Sequence, residues 1–308
     1  MSEPNEAGPP PGGMDSPITR VRRLANATAV GKHVKLALVG PQLPRLAALC
    51  GPLQPWVTLP MPLSRAALTA ELCFSTINFS FWGKGCYDRP GGSASSVRQD
   101  IFGAFGLTPY PDGVERTDTQ SVADLKATIR RYADHIATTA IPLAKERATL
   151  LWEIPRAMDA VETLWNRILL EECEPHRETQ LIYDAFPGFA ADPFFKRGLL
   201  FTALIGRVYG RAHVMSDAIP LPADYQIPKV LRAAGILVYS EALSATIADG
   251  KPLAPGSEEE MEIRAASIVA VRLISHHLET TEAQIDDWLW AGRDRVPGNF
   301  HLTRTTWY

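Results

Sequence analysis

From Ser121 to the end of the chain, apolar positions recur at helical spacing, in runs that open on a capping residue. Ser121-Val-Ala-Asp124 has the form of a capping box, where hydroxyl and carboxylate each accept a backbone N–H, and predicts a helix to about Thr139. Two helices are predicted at about 157–173 and 176–185, the first with Leu164, Ile168 and Leu169 on one stripe. Asp192-Pro193 reads as an N-cap and first-turn pair, opening a helix that reaches Tyr209 before Gly210. Pro228 to Ala234 forms a short helix stopped by Gly235, and Ser240 opens another ending near Gly250. Ser257 starts a longer helix through Leu278, and Thr281 starts the last, with Gly292 as its C-cap.

The first half is less regular. Thr19 to about Leu49 predicts a helix and an extended piece, and the proline-rich stretch Gly51 to Pro62 a loop. Ser64 caps a short helix over the residues that follow it. Phe74 to Trp82, ahead of Gly83-Lys-Gly85, is rich in aromatic and β-branched residues and predicts a strand. Gly91 to Ser96 reads as a loop and Val97 to Phe105 as a helix, while Pro, Gly and charge make residues 1–15 a disordered tail. No fixed-period repeat is present. The fold class predicted is mostly α, a helical globule with few short strands. Residues 16–308 form one helical domain, or two intimate subdomains.

Composition narrows the partners. The 31 basic and 34 acidic residues leave a net charge of −3, without the basic footprint that duplex binding requires. A local basic pocket for one phosphate remains compatible. Cys50, Cys73, Cys86 and Cys173 form no CxxC pair, so reduced thiols in a cytoplasmic protein are expected. No basic stretch followed by an apolar core opens the chain, and no run of 18 apolar residues occurs, so neither signal peptide nor membrane span is expected. The oligomeric state expected is a monomer.

Phosphate-cradling, dinucleotide-binding, zinc-protease and nucleophile-elbow motifs are all missing. His276 and His277 are adjacent on a helix, about 100° apart, and are read as a solvent-facing polar pair rather than a chelate. No metal and no cofactor is expected. Carboxylate chemistry remains. Asp224, in Pro220-Leu-Pro-Ala-Asp-Tyr-Gln-Ile-Pro228, either caps the next helix or points into a cleft above it. Asp286 and Asp287, ahead of Trp288-Leu-Trp290, form either a solvated helical face or part of a site. Lys196, in the first turn after Pro193, is a surface lysine or a phosphate ligand beside free backbone N–H groups.

Several stretches occur together in a specific order: Ile77-Asn-Phe-Ser-Phe-Trp82, Phe194-Phe-Lys-Arg197, Ala223-Asp-Tyr-Gln-Ile-Pro228, Glu260-Met-Glu-Ile-Arg264, Asp286-Asp-Trp-Leu-Trp290, and the closing His301-Leu-Thr-Arg304 with Tyr308. In this succession, from about residue 70 to Tyr308, the chain resembles the queuosine salvage proteins, or queuosine 5′-phosphate N-glycosylases. The resemblance implies a fold related to helix-hairpin-helix DNA glycosylases. It also implies metal-free hydrolysis of queuosine 5′-monophosphate to queuine and ribose 5-phosphate, for salvage of a modified tRNA base. Asp224 falls on the family's catalytic aspartate and Asp286 on one that binds the base. Lys196 lies in the aromatic-Lys-Arg motif and would grip the 5′-phosphate. Asn78 to Trp82 belong near the pocket, where Phe79, Phe81 or Trp82 could sandwich the base. Pro222 stands where the family carries an aromatic residue, and Trp56 is nearest to a family histidine that has no counterpart. Ala291 replaces a further aspartate, with Asp294 as the alternative. A sibling enzyme acting on another 7-deazapurine nucleotide, a non-catalytic nucleotide-binding module and a base-flipping repair glycosylase are the competing readings, the last disfavoured by charge.

Overall fold

The computed structural model describes residues 15–29, 31–54, 64–82, 94–107, 120–170, 172–208 and 219–308. The expected N-terminal tail, most of the proline-rich loop, Gly83 to Gly85, Cys86 and the Tyr209-Gly210 helix end lie outside them. In chain order the elements are α1 (Pro17–Thr28), β1 (Val34–Leu36), α2 (Val39–Cys50), α3 (Arg65–Ile77), α4 (Ala94–Ala104), α5 (Val122–Ala137) and α6 (Ala144–Leu151). There follow α7 (Met158–Leu169), α8 (Pro175–Ala185), α9 (Pro187–Ala190), α10 (Lys196–Val208), α11 (Gln226–Ala234), β2 (Leu237–Tyr239), α12 (Glu241–Ala248), α13 (Glu258–His277) and α14 (Glu282–Gly292). The protein is therefore mostly α. Among the described residues, two short strands pair antiparallel, with Val34 opposite Tyr239 and Leu36 opposite Leu237.

Hydroxyl caps set six of the helix starts. Ser16, Ser64, Ser121, Ser240, Ser257 and Thr281 each accept a backbone N–H three residues on, satisfying a donor the helix cannot pair internally. At Ser121 the reciprocal bond from Asp124 completes the capping box. Gly235 ends α11 with φ +82°; its N–H reaches Arg232 O and that of Ile236 reaches Leu231 O, a left-handed cap that turns the chain into β2. The core runs from Ile18 to Val296, and α13 packs in its middle against α1, α2, α11, α14 and β1.

Three expectations are corrected. Phe74 to Ile77 are not strand but the last turn of α3, and only Asn78 to Trp82 are non-helical. Every residue of α3 from Ala66 to Ile77 is buried, so the helix has no exposed polar face, and its aromatic, β-branched end carries no periodicity to distinguish it from a strand. The helix expected from Pro193 begins at Lys196, because Phe195 adopts φ +49° and breaks the run. Gly292 is not a left-handed cap, having φ −79°. It lies within α14 because a Cβ there would come within 2.6 Å of Cys50 Sγ.

Candidate active site

The last turn of α3 leaves carbonyls without helical partners, and buried cations take them. Arg197 donates to Thr76 O at 2.6 Å, Arg147 donates to the carbonyls of Ile77, Phe79 and Ser80, and Lys196 Nζ donates to Asn78 O at 2.9 Å. These contacts dictate the path of Asn78 to Trp82, including the left-handed φ of +39° at Ser80. Burial lowers the Arg147 guanidinium to about 9 and that of Arg197 to about 10.

Lys196 is the centre of the arrangement. Its side chain is buried at the start of α10, and burial pulls its pKa down to about 8. Asp224 opposes that shift most strongly, Arg197 adds to it, and Asp286 and Asp192 oppose it. Two carboxylates from separate elements therefore act on one buried ammonium: Asp224 from the loop before α11, and Asp286 from the second turn of α14.

Asp224 is a cap and more than a cap. Its Oδ1 accepts from Gln226 N–H at 2.7 Å and Ile227 N–H at 3.2 Å, while Oδ2 makes no hydrogen bond among the described residues. Asp286 and Asp287 line a small cleft with Pro222, Ile219, Leu200 and Leu204, so carboxylates meet apolar walls there. The cleft is small, about 30 Å³, and ionised carboxylates at its edge can only accept hydrogen bonds.

The other expected residues fall in different places. Asn78 reaches Lys196 through its backbone carbonyl. Trp82 is half-buried and packs on the cluster of Tyr225, Phe300, Leu302 and Tyr308, next to the Asp224 loop. Phe79 is in the interior, with the guanidiniums of Arg147 and Arg197 4.2 and 5.5 Å from its ring centre. Tyr308 is also buried, its hydroxyl 3.2 Å from His301 Nε2 and its carbonyl accepting from Ser80 N–H at 2.9 Å. Asp294 is exposed and pairs with Arg293 at 3.2 Å.

Lys196 does not stand beside free helix N–H groups. Asp192 takes them, accepting from Phe194 N–H at 3.1 Å and Lys196 N–H at 2.8 Å. Sequence reasoning treated Asp192 only as a cap and gave Arg147 and Arg264 no role. The available signal was the i,i+4 pair Glu260–Arg264 on a helix whose next turns are mostly apolar, where charges must find partners. His276 and His277 are exposed, as the sequence suggested. Among the described residues, His33, Glu258 and Glu262 bring ligand atoms within 4.8 Å of one another. Glu262, however, already accepts three backbone N–H groups, from Lys32, His33 and Val34, at 3.1, 2.8 and 2.8 Å. It serves to staple β1 to α13.

Residues 64–308 match the family described as queuosine salvage protein. A protein of Sphaerobacter thermophilus named queuosine 5′-phosphate N-glycosylase/hydrolase is 28% identical over 276 residues, covering 77% of this chain and 80% of its own. Proteins of the same name from Mus musculus and Nematostella vectensis are 25% and 27% identical, covering 85% and 70% of this chain and 89% and 67% of theirs. The matched span holds Lys196, Asp224 and Asp286 together with the helices that carry them, and the chain belongs to the queuosine salvage protein family.

Proposed function

We propose that the protein hydrolyses queuosine 5′-phosphate, releasing queuine and ribose 5-phosphate, with Asp224 as the catalytic carboxylate. The reading rests on one observation above the others: Asp224 and Asp286, from separate elements, both favour the charged form of the buried Lys196, and Asp286 also lines a cleft with apolar walls. In the reaction the bond between ribose C1′ and the base nitrogen breaks, the electron pair leaves with the base, and water adds to C1′. Positive charge builds on the ribose as an oxocarbenium ion. A fixed carboxylate facing that charge lowers the barrier, and Oδ2 of Asp224 has the capacity that its capping Oδ1 lacks.

A 7-deazaguanine base has no N7 to protonate, so its departure depends on contacts at its other edges. Asp286 supplies acceptors for the N–H groups of a guanine-like edge, with Pro222 and Leu200 against the ring face. Lys196 balances the two carboxylates in a site withdrawn from water. This internal role, and not the expected phosphate grip, is supported by the burial of Lys196 and by the hydrogen bond from its ammonium to Asn78 O.

The test is direct. The purified protein is incubated with queuosine 5′-phosphate, and free queuine and ribose 5-phosphate are followed by chromatography. Release of both in equal amounts is expected. Tight binding with no release above the uncatalysed rate would instead make the protein a nucleotide-binding module.

A further inference from the structure

One ion pair lies beneath both halves of the site. Asp192 fixes where α10 begins, because its carboxylate accepts the N–H of Lys196. Its two oxygens also receive Arg264 Nη1 and Nη2 at 2.8 and 2.7 Å, a bidentate pair. The remaining donor of that guanidinium, Nε, reaches Ala223 O at 3.2 Å, one residue before Asp224. A single planar group thus ties the backbone that carries the cation to the backbone that carries the carboxylate. Glu260 Oε1 at 3.3 Å and the ring faces of Phe194 and Tyr308, at 4.8 and 4.2 Å, hold the plane in place.

Both side chains are out of contact with solvent, at 0% and 1% exposure. A buried ion pair is a poor device for stability alone, since apolar residues of similar volume often serve as well. What it supplies is direction: the donors of arginine sit in a rigid fork, which an apolar contact or a lysine cannot reproduce. Between Asp192 and Lys196 the chain also passes through Phe195 at φ +49°, a conformation that persists only when surrounding contacts impose it.

We propose that Arg264 and Asp192 are positioning residues that set the separation of Lys196 and Asp224, and through it the rate of turnover. The proposal rests on the N-glycosidase reading of the site. Asp192 has a second effect, since it is one of the carboxylates that help Lys196 keep its proton.

Two variants separate geometry from charge. Arg264→Lys keeps the charge and loses the fork, whereas Asp192→Asn keeps the shape and loses the charge. Each is expected to lower kcat on queuosine 5′-phosphate on the order of 10²-fold, the cost of misplacing catalytic groups, with KM changed far less. Asp192→Asn also moves the alkaline limb of kcat to lower pH, and Arg264→Lys leaves that limb in place. Glu178→Gln, which breaks the buried Arg167–Glu178 pair between α7 and α8, serves as the control and lowers Tm without either kinetic change. If both site variants lower Tm as the control does but keep wild-type kcat and limb, the pair is a strut and the proposal falls. Failure of both to fold would overturn it equally, since no effect on the site would then be separable from folding. Wild-type protein run in the same series distinguishes the two levels: no turnover by wild type refutes the N-glycosidase reading, whereas wild-type turnover with unaffected variants refutes only the positioning role.

Discussion

Asp192 and Asp224 are both aspartates at a helix start, both cap it, and they end in opposite conditions. Asp192 is 2% exposed, and its two oxygens are saturated by two backbone N–H groups and a guanidinium fork. Asp224 is half-buried and caps with Oδ1 alone. A carboxylate with four partners is fixed and chemically spent. One held by a single oxygen is oriented, and its second oxygen still has lone pairs to offer. The capping role and the catalytic role are thus not alternatives at Asp224, because the cap aims the oxygen that reacts.

The comparison breaks first under substitution of the two aspartates. Asp224→Asn is expected to reduce kcat on the order of 10²–10³-fold, as for other single electrostatic groups, while Tm falls little because the amide oxygen still caps α11. Asp192→Ala should add a large loss of stability to its loss of turnover: it strands Arg264 without its main partner and costs about 3–5 kcal/mol, read by urea denaturation. If Asp224→Asn keeps more than about a tenth of kcat, Asp224 is only a cap and the contrast disappears.

Lys196 sharpens the contrast, since it feels both aspartates. Lys196→Met should lower kcat/KM for queuosine 5′-phosphate and for the dephosphorylated nucleoside by similar factors, because the lysine balances carboxylates rather than holding phosphate. A loss confined to the nucleotide would restore the phosphate role. In wild type, activity should decline as pH rises through about 8, where the buried ammonium loses its proton. Stability should move the other way. The unfolded lysine titrates near 10.5, so between about 8 and 10.5 the unfolded chain binds more protons, and this group's contribution to unfolding free energy rises with pH. Parallel kcat and denaturation profiles over that range check both signs. The smallest effect is expected at Asp294, exposed and paired with Arg293: Asp294→Ala should change stability by no more than about 0.5 kcal/mol and leave kcat near wild type.

Much of the frame was readable in advance, and for a common reason. The caps at Ser64, Ser121, Ser240, Ser257 and Thr281 and the stop at Gly235 depend on hydrogen bonds within about one turn, which local sequence specifies. The end of α3 was not readable. Phe74 to Ile77 look like a strand because burial on every side removes the exposed polar face whose spacing would mark a helix. Nor could the order of residues reveal that Phe79 packs beside the guanidiniums of Arg147 and Arg197.

The sequence by itself determined that this chain is a capped helical protein, to which family it belongs, and which carboxylates and lysine carry its motifs. Only the tertiary structure decided what those groups do to one another. Lys196, read from sequence as standing beside free N–H groups at a helix end, is buried with its ammonium on Asn78 O, and Asp192 occupies that helix end. The physical reason lies in range. Capping and periodicity act over a few residues, whereas desolvation and charge pairing depend on what the fold brings together, here Asp192 with Arg264, 72 positions apart in the chain.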